Sequence, residues 1–259
     1  MKISSYLLTL CLTFMLALSF STHSAEPDLS EAVNKAGKQR MLSQRIAKAY
    51  FFLGNGVRRD KAEQQLNMSI AEFIKNHTEL KAEISDQNVQ KMFAFVDIII
   101  EEYIDLAGRP YSKKGAAQVL DLSETILEAS HDIVVKIEAL AKVEKPKIIN
   151  ISGRQRMLSQ RIAKYYIAYQ SGFKDQNSVS QIEKAVSEFE LALALLKAEK
   201  INTPEITDNL TRVSMLWKVI RPFFMDVKKG GLPVTVFATT DRIMEHMNNI
   251  TSMYVEAAA

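Results

Sequence analysis

Gln39-Arg-Met-Leu-Ser-Gln-Arg-Ile-Ala-Lys48 returns unchanged as Gln155-Arg-Met-Leu-Ser-Gln-Arg-Ile-Ala-Lys164, and this identity decides how the chain is built. The match continues around it: Asn34 meets Asn150, Gly37 meets Gly153, and Lys38 meets Arg154. Further along, Gly56 pairs with Gly172, Phe73 with Phe189 and Leu80 with Leu196. Read without a gap, the same offset of 116 pairs Ile104 with Ile220 and Gly115 with Gly231. This is a tandem duplication of one module. Two copies are too few for a solenoid, so the repeat predicts a paired structure.

At 100° per residue, Gly37, Arg40, Met41, Gln44 and Lys48 share one face of a helix. Leu42, Ile46, Ala49 and Leu53 form an aliphatic stripe on roughly the opposite side, which predicts burial in the helix's own bundle. The Gly-Arg-Gln-Lys face is then expected to look outward, to water or to another subunit. Arg45 lies on the flank between the two.

Charge is segregated along the chain. No acid falls between Glu31 and Asp60, or between Glu144 and Asp175, while each window holds seven cations. Lys2 aside, the remaining 18 Lys and Arg face all 30 acids, so two basic helices sit in an acidic remainder. That pattern points to an anion site or an acidic docking surface and argues against nucleic acid, whose recognition needs a basic chain overall.

The stretch Asn34-Lys-Ala-Gly-Lys-Gln-Arg-Met-Leu-Ser-Gln-Arg45 and its second copy resemble the first-helix box of the PilJ/NarX-type sensor domain. The resemblance implies periplasmic input domains built as four-helix bundles that pair as dimers. It also implies that the glycine and first arginine of two boxes hold one anion between them, here Gly37 and Arg40 with Gly153 and Arg156. Gln44 and Gln160, on the same face, join the candidate ligands, with Arg45, Arg161, Lys48 and Lys164 secondary. Ser43-Gln44 and Gln39 resemble the pilus receptor's version of the box, which leaves the anion open among inorganic ions and carboxylates.

Residues 1–25 read as a secretory signal, cleaved after Ser24 or Ala25: Lys2 is followed by the almost wholly apolar Tyr6 to Phe20. The one cysteine, Cys11, falls in this leader, so the mature chain forms no disulfide. Glycine and proline clusters bound long helical windows: 30–53, 62–85, 88–106 and 115–143, then 148–170, 179–200, 204–227 and 234–257. The expected fold is all-α: a first module over 26–144 and a second over 145–259, each an antiparallel four-helix bundle, related by a pseudo-two-fold axis. A turn near Pro146 would let the bundles lie side by side, whereas end-to-end packing would part the boxes by about 40 Å.

Other chemistry finds little support. Glu128-Ala-Ser-His131 has the Glu-x-x-His spacing of a di-iron bundle, but Met244-Glu-His-Met247 in the other copy does not match it. Methionines at helical spacing are the stuff of cores. Ser43 and Ser159 have no histidine in the box, and no phosphate loop appears, so neither catalysis nor a cofactor is expected. Arg40 and Arg156 also admit a plainer role as ion-pair partners of Glu101 or Glu102. The same role is preferred for Arg45 and Arg161, which are expected nearer the bundle interior, while Lys48 and Lys164 snorkel at the rim.

These readings converge on an exported sensor or carrier that binds a small oxyanion between its box helices and signals to a membrane-bound partner. The internal module pair would act as its own dimer, with further oligomerisation open. The rival is a non-sensing interaction protein whose basic box helices dock an acidic partner or envelope surface.

Overall fold

Helix-favouring windows interrupted by glycine, proline and short polar residues give one kind of element here. The computed structural model describes residues 29–141 and 145–258, which form eight α-helices and no strand. The expected leader and the join at residues 142–144 lie outside the described residues. The helices are α1 (Leu29–Gly54), α2 (Arg59–Glu83), α3 (Gln87–Gly108), α4 (Lys113–Leu140), α5 (Lys145–Gln170), α6 (Gln176–Ala198), α7 (Pro204–Met225) and α8 (Pro233–Ala258).

Short polar side chains set several of the starts. Asp86, Ser112, Asp175 and Thr203 each accept from a backbone N–H two or three residues on, which satisfies amides that have no partner within the helix. Pro204 occupies the first turn of α7, where its missing N–H costs nothing. Pro222 lies late in the same helix, which ends one turn later at Met225.

In each half of the chain four helices close into a ring. Helices α1 and α3 both touch α2 and α4, and α5 and α7 both touch α6 and α8. The connections are only a few residues long, so sequential neighbours run antiparallel. The largest interface between any two helices joins α1 to α5, so the two bundles lie side by side. These helices run parallel and in step. Arg156 reaches Asn34 near the start, Lys48 reaches Gln160 midway, and Asn55 Nδ2 reaches Ser171 Oγ at the end, at 2.6 Å.

This seam changes the meaning of the helical wheel. Leu42 and Ile46, and their counterparts Leu158 and Ile162, are fully buried as the stripe predicts. The opposite face is not in water either, because Gly37, Arg40, Gln44 and Lys48 are buried against the neighbouring bundle. Lys48 and Lys164 have no exposed surface at all and do not snorkel. Of the two arginines in each box, the first is buried and the second only half-buried, the reverse of the expected order.

The repeat is also not gapless. Ala62, Leu66, Phe73 and Leu80 point inward in α2 as Ser178, Ile182, Phe189 and Leu196 do in α6, at the offset of 116. In α3 the inward set Val89, Phe93, Val96 and Tyr103 corresponds to Ile206, Leu210, Val213 and Ile220 in α7, an offset of 117 (206 against 89). The extra residue is absorbed between helices, where residues 84–86 connect α2 to α3 but 199–203 connect α6 to α7. Ile220 therefore corresponds to Tyr103, not to Ile104. A one-residue slip inside a helix would rotate every later side chain by 100°, whereas a loop takes it up freely.

Candidate functional site

The seam holds two layers of buried charge. In the first, Arg40 and Arg156 come from the same position of the two boxes, and each is 1% exposed. Each reaches across to the other copy's helix. Arg40 Nη2 donates to Asn150 Oδ1 at 2.8 Å, and Arg156 Nη2 donates to the Asn34 carbonyl at 3.1 Å. The fourth helix of each bundle adds one acceptor: His131 Nδ1 takes Arg40 Nη1 at 3.3 Å, and Asn248 Oδ1 takes Arg156 Nη1 at 2.9 Å.

The guanidinium groups meet at Gly37. A Cβ there would lie 3.3 Å from Arg156 Nη2 and 3.4 Å from Arg40 Nη2, so the two nitrogens are at most 6.7 Å apart. Gly153 borders only Arg156. Neither arginine forms an ion pair with a carboxylate among the described residues, and both Nε groups are buried without a hydrogen-bond partner. Burial pushes the Arg40 guanidinium down to about 9, helped by the positive charges of Arg154 and Arg156 and opposed by Glu138, and burial pushes Arg156 down to about 10 against the pull of Glu31 and Glu72. Both stay cationic at neutral pH. His131 is held below its usual value by burial and then by Arg40 and Arg154, which fits a neutral ring accepting from Arg40. Solvent approaches from two sides, through a pocket of about 290 Å³ bordered by Asn34, Lys38 and Arg156, and one of about 190 Å³ bordered by Arg40, His131 and Arg154.

The second layer lies about two turns along and is compensated. Lys48 Nζ donates to Gln160 Oε1 at 2.9 Å and pairs with Asp241 at 2.6 Å. Lys164 Nζ donates to Ser123 Oγ at 2.9 Å and pairs with Glu124 at 2.5 Å. Complete burial lowers both lysines to about 8 against the pull of those carboxylates. Burial alone would raise Glu124, but Lys164 and Arg161 outweigh it and hold it below the ordinary carboxylate range.

The structure thus brings Gly37, Arg40, Gly153 and Arg156 together and sets the glutamines apart from them. Gln44 Nε2 donates to the Ser123 carbonyl and Gln160 Nε2 to the Thr240 carbonyl, and the Gln160 oxygen is occupied by Lys48. Both glutamines tie box helices to fourth helices. Arg161 does form an ion pair, but with Glu124 rather than with Glu101 or Glu102. Arg45 has no ion pair among the described residues, and the Arg40 and Arg156 partners are not Glu101 or Glu102 either. Sequence reasoning missed Asp241, Glu124, His131 and Asn248. All four lie on α4 or α8, where the copies correspond at an offset of 117: 241 against 124, and 248 against 131.

Among the described residues no group of three or more His, Cys, Asp or Glu side chains gathers as a metal site, and no helix is long and apolar enough to cross a membrane. The PilJ family model, described as the N-terminal part of type IV pili methyl-accepting chemotaxis transducers, matches residues 21–92 and 144–242. The methyl-accepting chemotaxis protein McpN of Pseudomonas aeruginosa is 24% identical over 115 residues, which cover 42% of this chain and 22% of McpN. No solved structure matches the chain.

Proposed function

Because the chain belongs to the PilJ family of chemotaxis-transducer N-terminal domains, a sensory family, we propose that it senses a small oxyanion held between Arg40 and Arg156. The observation that carries this reading is two buried guanidinium groups meeting at Gly37 with no carboxylate paired to either. Burying one unpaired charge is costly, and burying two like charges side by side costs more. A planar oxyanion such as nitrate or nitrite offers acceptors to both forks and cancels their repulsion. Gly37, having no Cβ, keeps the point where the two guanidinium ends meet clear of side chain. The proposal includes an approximate two-fold relation between the copies, export by the leader to the periplasm, and a membrane-bound signalling partner that reads the seam.

The rival reading, a basic helix face docking an acidic partner, is disfavoured by burial. Arg40, Lys48, Arg156 and Lys164 are all turned into the seam and would reach a partner only if the bundles parted.

Calorimetry with nitrate, nitrite, sulfate and acetate tests the proposal. One anion per chain is expected, with affinity falling about tenfold or more in Arg40→Ala and in Arg156→Ala. Arg→Lys should also weaken binding, since it keeps charge but loses the fork. The second removal should cost less than the first, because the two act as a unit. Two independent anions per chain, or no heat with any of the four, would end the shared-site reading.

A further inference from the structure

The two copies differ sharply around the second arginine of the box. Arg161 donates to Glu124 and, at 2.9 Å, to Gln181 Oε1, and its guanidinium lies 5.9 Å from the centre of the Tyr165 ring. Arg45 holds the matching position in the first copy and has lost all three partners. Asp241 stands where the second copy's seam has Glu124 but is shorter by a methylene, and its two oxygens go to Lys48 at 2.6 Å and Gln65 at 2.7 Å. Gln65, the counterpart of Gln181, thus donates to Asp241 and makes no hydrogen bond to Arg45. Ala49 stands where the second copy has Tyr165. Arg45 Nε is buried and has no hydrogen-bond partner.

The lost side chains leave room. A pocket of about 420 Å³ opens over Arg45, between α2 and α8, within the size range of small-molecule sites. Arg58, Lys61 and Arg242 line it with Arg45, against Asp241, already bound, and Glu245. Met68 and Ala238 supply apolar wall.

We propose that this pocket is a second ligand site, distinct from the arginine pair, for a small organic anion: a carboxylate carried on an aromatic or branched apolar body. The carboxylate pairs with Arg45 in the role that Glu124 plays for Arg161, and the body covers Met68 and Ala238. Four cationic side chains against two carboxylates favour an anion, while the apolar wall separates this ligand from a bare inorganic ion.

Saturation-transfer NMR and calorimetry with benzoate as the probe test this on the full chain. Benzoate should bind the wild type, and its Kd should rise about tenfold or more in Arg45→Ala. Asp241→Glu should weaken it comparably, by giving Arg45 an internal carboxylate. Benzoate should stay bound when nitrate is added to high concentration, whether or not nitrate itself binds, so this outcome does not depend on the arginine-pair reading. Absence of benzoate binding in the wild type, unchanged affinity in Arg45→Ala, or displacement by nitrate would overturn the proposal. Circular dichroism confirms that each variant keeps its helices.

Discussion

Lys48 on α1 and Asp241 on α8 form an ion pair of 2.6 Å between residues 193 positions apart, and the lysine is wholly buried. Removing one member strands the other, so Lys48→Met should lower the unfolding free energy by about 3–5 kcal/mol. Adding Asp241→Leu should recover much of that loss, because apolar partners of similar volume tolerate the site. Urea unfolding of both singles and the double variant makes the comparison. A single-variant loss under about 1 kcal/mol would mean that the lysine layer adds nothing to the seam.

The aliphatic stripe gives a second expectation. Leu42 has no exposed surface and sits at the centre of the first bundle, so Leu42→Ala should cost about 2–5 kcal/mol. Leu158→Ala should fall in the same range, since it occupies the same place in the second copy. Thermal and urea unfolding both read this, and a marginal loss at both positions would mean the core lies elsewhere.

Two glycines of α1 should respond in opposite ways to alanine. A Cβ at Gly37 meets only the ends of two arginine side chains, and alanine favours helix, so Gly37→Ala should fold at least as stably as the wild type. Its methyl would occupy the proposed anion position and weaken anion binding by about tenfold or more. A Cβ at Gly54 would collide with the Tyr111 ring, so Gly54→Ala should cost about 1–3 kcal/mol. Anion titration and melting of the two variants side by side decide the matter. Undiminished anion affinity in Gly37→Ala would move the site away from the glycine.

Alkaline pH should stabilise the protein before it harms it. Lys48 and Lys164 release their protons near pH 8 when folded, because burial disfavours the charge, but hold them to about 10.5 when unfolded. Between those values the unfolded chain binds more protons, so stability rises with pH. A gain of about 3 kcal/mol from the two lysines is expected between about pH 8 and 9.5. Burial raises the hydroxyls of Tyr103 and Tyr165, which reverses the trend above about pH 10, where unfolded tyrosines ionise first. Urea midpoints across this range measure the slope, which should roughly halve in Lys48→Met. A flat profile would contradict the burial of charged lysine.

Leu42, Ile46 and the helix boundaries were legible because their causes are local: a 3.6-residue period and short capping side chains within a few positions. The pairing of the boxes was legible from identity alone, since ten unchanged residues specify one interface used twice. The fate of Lys48 was not, because its partner lies at the far end of the chain and no local pattern marks Asp241. A gapless reading also hid the correspondence of Glu124 with Asp241 and of His131 with Asn248, since the added residue falls in a connection that leaves no periodic trace. The wheel set Arg40 on the outward face but left open whether water or another bundle covers it. A helical wheel separates apolar from polar, yet it cannot distinguish a polar face in water from one closed against a second bundle.

Joining both halves of the seam in one chain has an evolutionary consequence. In a homodimer every substitution appears on both sides at once, so a change useful on one side must be tolerated on the other. Here Ala49 and Tyr165, or Asp241 and Glu124, have diverged separately while the ten-residue box stayed fixed. The duplicated chain can hold a common centre constant and let its two flanks drift apart, which gives the assembly a left and a right that a symmetric pair never acquires.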